Sequence, residues 1–285
     1  MHKPQNVIAK PWPDYELLDS GSGRKLERFG KVILDRPEVN ANGKSKLTIK
    51  EWREIAHSRF EQKGSNSGTW SKPIDDWTIK TQEPNSLTFN LSQSQFKHIG
   101  VFPEQSSNWD YIFKALHGKK TQAALNLFAY TGGASLAAKA AGADITHIEA
   151  FGQLITKAKE NMESTGLADI RWIKEDALKF VQKAIKREKK YDLIVMDPPS
   201  WGRGPKGEKW IIEKHLDELI SGVSKLMNPK AHLIVNTYSG ILPEELKYRL
   251  DQHIKFTNYQ VGSLILQAKS GTQFSTGTLV RGQVR

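Results

Sequence analysis

Cysteine is absent from all 285 residues, which removes disulfides, thiolate metal sites and thiol nucleophiles together. No apolar run approaches the roughly 20 residues that a membrane-spanning helix requires. The opening Met1-His2-Lys3-Pro4-Gln5-Asn6 also lacks the apolar stretch of a secretory signal. A cytoplasmic location without membrane contact is therefore expected. The eight histidines show no H-E-x-x-H or comparable spacing, so no metal is expected. Acidic residues are in deficit: 31 Asp and Glu against 42 Lys and Arg leave a formal charge of +11. Such an excess suits an anionic partner, nucleic acid above all, through long-range attraction. It forms no basic tail, with 16 basic against 12 acidic side chains in the first 99 residues and 26 against 19 in the rest, and solubility is the competing explanation.

The length suffices for one large domain or two smaller ones. Residues 14–39 read as short strands (15–19, 25–29, 31–35) around the Ser20-Gly21-Ser22-Gly23 turn and Gly30, an antiparallel meander. Residues 47–62 place Ile49, Trp52, Ile55, Ala56 and Phe60 at helical spacing behind a Thr48 N-cap, which predicts one amphipathic helix. Strands are expected at 77–79 and 87–91, beyond the loop Gly64-Ser65-Asn66-Ser67-Gly68. Residues 1–98 thus form a small α+β domain with substrate binding as its expected task. From residue 99 to 285 the texture becomes alternating helix and apolar strand, the signature of a mostly parallel sheet. Strands are predicted at 124–128, 145–149, 170–174, 191–196, 232–236, 260–267 and 278–281, the last two as an antiparallel C-terminal hairpin. Helices are predicted at 135–141, 153–162, 177–186 and 213–227, the last stopped by Asn228-Pro229.

The densest signal is Ala124-Leu125-Asn126-Leu127-Phe128-Ala129-Tyr130-Thr131-Gly132-Gly133, a buried strand opening through glycine into an alanine-rich helix. Doubly wound α/β folds bind nucleotides at such a turn. A dinucleotide site wants G-x-G-x-x-G, and the third glycine is missing, which disfavours a nicotinamide oxidoreductase. Gly43-Lys44-Ser45 resembles a phosphate-loop end, but Glu38 stands where its first glycine belongs. Gly202 to Gly207 is followed by Glu208 where a lysine belongs. The turn instead suits an adenosine ligand without pyrophosphate, such as S-adenosylmethionine. Glu149 ends the next strand, where an acid accepts ribose hydroxyls. Asp176, after the third strand, is placed to accept from an adenine amino group. Asp197-Pro198-Pro199-Ser200 follows the apolar Leu193-Ile194-Val195-Met196, at the strand end beside the first strand, the switch point where ligands of open sheets sit. Proline has no N–H, so carbonyls in this segment are expected to stay unclaimed by local N–H groups and, with the Asp197 carboxylate, to orient a substrate NH2.

Together Leu125 to Gly133, Thr146-His147-Ile148-Glu149-Ala150, Glu175-Asp176-Ala177, Asp197-Pro198-Pro199 and the upstream Gly100-Val101-Phe102-Pro103-Glu104-Gln105 resemble the class I S-adenosylmethionine-dependent methyltransferases. The resemblance is closest to the bacterial branch related to the large-subunit ribosomal RNA methyltransferases, and spans roughly residues 95 to 285. It implies a Rossmann-like α/β sheet with S-adenosyl-L-methionine as cofactor and RNA as partner, ribosomal RNA favoured. Phe128, Ala129, Tyr130, Thr131, Gly132 and Gly133 would then hold the methionine end, Glu149 with Ala150 the ribose, and Asp176 with Ala177 the adenine. Phe102 and Gln105 would help close the pocket. Asp197, with Pro198, Pro199 and Ser200, would carry catalysis. Relatives that methylate amino groups usually carry an aromatic directly after the two prolines; here Ser200 intervenes and Trp201 follows.

Methyl transfer to nitrogen needs chiefly in-line positioning, whereas carbon-5 methylation of a pyrimidine ordinarily needs a cysteine nucleophile. The missing cysteine therefore directs the expectation to nitrogen or a ribose oxygen. Residues 202–210 read as a mobile basic loop, with Arg203, Lys206 and Lys209 for phosphates and Trp201 or Trp210 for base stacking. A methyltransferase acting on a small molecule or protein, and a binding module without catalysis, remain the alternatives. Oligomeric state is left open.

Overall fold

Short strands and tight turns open the chain: β1 (Val7–Ala9), β2 (Tyr15–Gly21), β3 (Arg24–Phe29) and β4 (Val32–Pro37). The β2–β3 turn places Ser22 and Gly23 in the left-handed region, at φ 53° and 76°. Tyr15 faces Phe29 and Phe29 faces Val32 across antiparallel ladders, as the meander predicts. The structure, a computed structural model, describes residues 4–64, 67–120, 122–204, 207–238 and 240–285.

Helix α1 (Ile49–Ile55) starts on a capping box in which Thr48 accepts from the Glu51 N–H and the Glu51 carboxylate accepts from the Thr48 N–H. It stops well short of residue 62, because Ala56 is extended and β5 (Ser58–Lys63) follows. Phe60 lies at a helical interval from Trp52 and Ala56, but burial alternates through Ser58, Arg59, Phe60 and Glu61. Pairing on both edges decides the outcome: β5 runs parallel to β4 and antiparallel to β6 (Ser67–Trp70). The resulting sheet has the order β2-β3-β4-β5-β6, and β7 (Trp77–Lys80) pairs with β8 (Thr88–Leu91).

A 3-10 turn at Pro103–Gln105 leads into α2 (Ser106–Leu116). There follow β9 (Ala123–Leu127), α3 (Gly133–Ala140), β10 (Asp144–Glu149), α4 (Gly152–Thr165), β11 (Arg171–Lys174), α5 (Ala177–Lys186) and β12 (Tyr191–Met196). Then come β13 (Trp201–Arg203), β14 (Lys209–Ile211), α6 (Ile212–Ser224), β15 (Met227–Thr237), α7 (Pro243–Asp251), β16 (Phe256–Gln267) and β17 (Gln273–Val284). The large sheet has the order β1-β16-β17-β15-β12-β9-β10-β11. Strands β15, β12, β9, β10 and β11 are parallel, and β17 is antiparallel to β15. This is the expected α/β, Rossmann-like sheet with antiparallel C-terminal strands. Strand order reverses between β9 and β12, which brings the two main sequence motifs to one edge of the crevice. Asn228-Pro229 does not end a helix; both lie in β15, where the register with β12 slips between Tyr191 and Leu193. The expected loop at 202–210 is in part a ribbon, with Trp201 facing Ile211 and Arg203 facing Lys209.

The chain falls into two compact units, a small one of residues 8–107 and 265–276 and a large one of 1–7, 108–264 and 277–285. Beside the expected boundary at 98/99, residues 99–107 group with the small unit. So does the distal part of β16 and β17 with the turn between them, which a single cut in sequence does not anticipate. Among the described residues no helix is long and apolar enough to cross a membrane.

Inside the small unit the Glu27 carboxylate is fully buried beside Arg36 at 2.5 Å and Lys25 at 3.5 Å, and accepts from the Tyr15 hydroxyl at 3.1 Å. Burial pushes this carboxyl up, but the Arg36 and Lys25 charges and the hydrogen bonds outweigh it and hold it below the ordinary value. The sign follows: the stabilisation is present above the unfolded pKa and lost as pH falls through the lowered folded one. Glu27→Ala leaves Arg36 buried without its partner, and urea unfolding at neutral pH is expected to show a loss of about 3–5 kcal/mol.

Candidate active site

Strand β9 ends in a turn that the backbone alone makes unusual. Phe128, Tyr130 and Gly132 all have positive φ, at 56°, 51° and 93°. For two bulky aromatics this is a strained conformation, held only where the surroundings over-determine it. Several hydrogen bonds do so. Ala129 N–H donates to Ile148 O, Gly132 N–H to Ala129 O, and the Asn161 side chain to Thr131 O, all at 3.0 Å. Tyr130 N–H donates to Glu149 Oε2 at 3.0 Å.

Gly132 needs glycine's freedom of φ, and packing requires glycine at Gly132 and Gly133 alike. A Cβ on Gly132 would lie 3.2 Å from Ala158 Cβ, and one on Gly133 would lie 2.8 Å from the Trp109 ring. The two residues therefore seat α3 against α4 and α2, a role that the ligand-based reading of the sequence did not include. Beneath the turn, Asn126 donates to Ser135 Oγ and Ser135 meets His147 Nδ1, each at 3.0 Å. Burial pushes His147 down to about 3, so it is neutral, and its Nε2 has no partner among the described residues.

Glu149 closes β10 with a buried side chain whose second oxygen accepts from Phe151 N–H at 3.0 Å. Burial raises its pKa, against the opposing pull of the Phe151, Tyr130 and Ala150 N–H groups. A carboxylate offers about four lone-pair sites, so capacity remains after these bonds. Ala150 is half-buried beside it. Asp176 is half-buried and is the N-cap of α5, with Oδ1 accepting from Lys179 N–H at 3.0 Å. Ala177 is a core residue at the start of that helix. Phe102 and Gln105 belong to the small unit, where Phe102 heads the 3-10 turn and Gln105 closes it.

Asp197 is half-buried at the end of β12, next to the end of β9, with Oδ1 accepting from the Asn236 side chain at 3.3 Å. Asn236 and Thr237 end the neighbouring β15; Asn236 Oδ1 and Thr237 Oγ1 are buried without partners among the described residues. Asn236 was absent from the sequence reading, although a polar residue ending the apolar run Leu233-Ile234-Val235 was a usable signal. Donors from a distant segment reach two of the carbonyls after Asp197. Trp210 donates to Pro199 O at 2.5 Å and Ile212 N–H to Ser200 O at 3.0 Å. Only the Pro198 carbonyl, of these three, meets no donor among the described residues. Pro199 and Ser200 themselves are exposed.

Trp210 is buried in the core, edge-on to Phe128 at 5.0 Å, and is therefore no surface stacking platform. Trp201 is 52% exposed, with the Arg203 guanidinium 5.8 Å from its ring centre. Lys206 lies outside the described residues. Among those described, no group of His, Cys, Asp and Glu is arranged to hold a metal ion.

The site can now be set beside known proteins. A curated relative, the ribosomal RNA large subunit methyltransferase K/L of Shewanella frigidimarina, is 29% identical over 241 residues, covering 80% of this chain and 32% of that protein. The chain thus spans about a third of the length of the curated relatives it matches, with 32% covered in both of the first two. A crystal structure of a SAM-dependent methyltransferase from Agrobacterium tumefaciens is 32% identical, with a TM-score of 0.91 over 99% of this chain and 94% of that one. SMU.776, crystallised with SAH, shares the fold at 16% identity and a TM-score of 0.72, over 96% of this chain and 76% of that one. A family described as S-adenosylmethionine-dependent methyltransferase matches residues 53–246. That match covers more than half of the chain and includes the β9 turn, Glu149, Asp176 and the Asp197 loop, so the chain belongs to the S-adenosylmethionine-dependent methyltransferases.

Proposed function

We propose that this methyltransferase acts on a nitrogen of RNA, ribosomal RNA by preference, with the acceptor presented by the Asp197-Pro198-Pro199-Ser200 segment. The observation that carries the proposal is Asp197 itself. It stands at the switch point with one oxygen held by Asn236, beside a Pro198 carbonyl that no described donor reaches, in a chain without cysteine. The printed name of the curated relatives, ribosomal RNA large subunit methyltransferase K/L, supports the choice of RNA. The positive charge of +11 agrees with it.

The residues fit the cofactor. Glu149 is a buried carboxylate with lone pairs to spare for ribose hydroxyls, and Asp176 has one oxygen engaged by the helix and a second for an amino group. The strained turn from Phe128 to Gly133, ending in a helix that has no side-chain cap, receives the methionine end. When bound, S-adenosylmethionine supplies an electrophilic methyl group on sulfur. The chain's own residues then orient the acceptor. The Asp197 carboxylate and Pro198 carbonyl accept from the substrate nitrogen and aim its lone pair, and the carboxylate is available for the proton that the methylated nitrogen sheds. Trp201 and Arg203 offer a stacking face and a cation for a base splayed out of its helix. Lys206 is assigned to phosphate contact by sequence alone.

Ribose hydroxyls donate to the ionised form of Glu149, so acid opposes binding. Its pKa is raised above the ordinary 4.5. Calorimetric titration with S-adenosylmethionine is therefore expected to show affinity falling from neutral pH to about pH 5. In Glu149→Gln the affinity is lower by about 10- to 100-fold, the worth of hydrogen bonds to a charged group, and its pH dependence over that range is flattened. Equal affinity in wild type and variant overturns the ribose assignment.

Transfer of labelled methyl from S-adenosylmethionine to total RNA tests the acceptor. Label that RNase destroys, and that Asp197→Ala reduces by at least about a hundredfold, is the expected outcome. Label that survives RNase identifies a small-molecule or protein acceptor instead. Cofactor binding with no label in any cellular fraction identifies a binding protein without turnover.

A further inference from the structure

We propose that Trp210 is the positioning residue of the Asp197-Pro198-Pro199-Ser200 loop: its indole N–H holds the loop in register with the cofactor turn, and the rate of methyl transfer depends on that bond. The proposal rests on the reading of Asp197 as the residue that receives the acceptor.

The need for such a residue follows from the loop's own chemistry. Pro198 and Pro199 have no N–H, so neither can fasten the segment to a neighbouring strand by donating. Besides the Asn236 bond to the Asp197 carboxylate, the segment is held through its carbonyls, by donors from elsewhere. Two are present, Trp210 Nε1 on Pro199 O and Ile212 N–H on Ser200 O, and both come from the junction of β14 with α6. The bond from Trp210, at 2.5 Å, joins a rigid ring to the carbonyl two residues beyond Asp197.

A tether positions its target only if it is itself immobile. Trp210 is 6% exposed, stacks on His215 at 5.5 Å with 30° between planes, and meets the Phe128 ring edge-on at 5.0 Å. His215 is in turn anchored through Nδ1, which lies 3.0 Å from Ile211 N. Phe128 is the first residue of the left-handed cofactor turn, at φ 56°. One side chain thus touches both halves of the crevice, the turn by ring packing and the acceptor loop by a hydrogen bond.

Misplacement of a reacting group by about 1 Å costs on the order of a hundredfold in rate, and a loop released from one of these donors falls short of that. Two replacements test the bond: Trp210→Phe, and substitution of Trp210 by its benzothiophene analogue, which keeps the ring shape and lacks the N–H. Initial rates of methyl transfer to total RNA at saturating S-adenosylmethionine are read beside the calorimetric Kd for the cofactor, with Asp197→Ala as reference. The expected result is a rate lowered about 10- to 100-fold in both, with the cofactor Kd within about twofold of wild type. A benzothiophene protein that transfers at the wild-type rate overturns the proposal. So does a rate loss matched by an equal loss of cofactor affinity, which marks a purely structural residue. Asp197→Ala separates the two claims: if it keeps full activity, the reading of the loop fails first, and if it is inactive while the analogue is fully active, only the role of Trp210 fails.

Discussion

The Glu149 carboxylate is the constraint on which the crevice depends. It joins the end of β10 to the turn after β9 by accepting from Tyr130 N–H, and fixes its own strand end by accepting from Phe151 N–H. A buried carboxylate without donors would be costly, and these N–H groups offset its desolvation. The bond from Tyr130 N–H also holds that residue in left-handed geometry. Asn161 on Thr131 O and the close seating of Gly133 on Trp109 complete the fixation. Strain in the turn is thus maintained by packing and hydrogen bonds already in place before a ligand enters. Such preorganisation removes an ordering cost from cofactor binding.

Across the sheet, the Asp197 loop, the proposed acceptor side, is held by a different device. Pro198 and Pro199 bring no donors to the Asp197 loop, and Trp210, Ile212 and Asn236 donate to it from outside. Because Trp210 also packs on Phe128, and β9 and β12 are neighbours in one parallel sheet, the two halves of the crevice share a rigid frame. Methyl transfer is governed by in-line placement of two reactants, and a common frame for both is the structural means to it.

The strand ends were readable from the sequence because the mostly apolar stretches 124–128, 145–149 and 191–196 each lead into a polar residue or a glycine turn. Glu149, Asp176 and Asp197 fell into place with them. What failed to show was non-local. Residues 58–63 carry helical spacing, and only pairing with β4 and β6 makes them a strand. Trp210 read as an exposed aromatic in a basic loop, whereas its partners Phe128, Pro199 and His215 come from three separate segments. The Asn126, Ser135 and His147 chain was equally invisible, since each is a single polar residue in an apolar stretch until the sheet aligns them. The return of residues 265–276 to the small unit depends on the length of the β16 and β17 strands, not on any local signal.

The most direct test of the crevice is a crystal structure of the chain with S-adenosylhomocysteine. Both ribose hydroxyls are expected within about 3 Å of the Glu149 carboxylate, with Tyr130 N–H still bonded to it and the sulfur facing Asp197 and the Pro198 carbonyl. A ligand bound away from Glu149, or a carboxylate that must leave Tyr130 to reach the ribose, would contradict a turn and ribose site built on one residue.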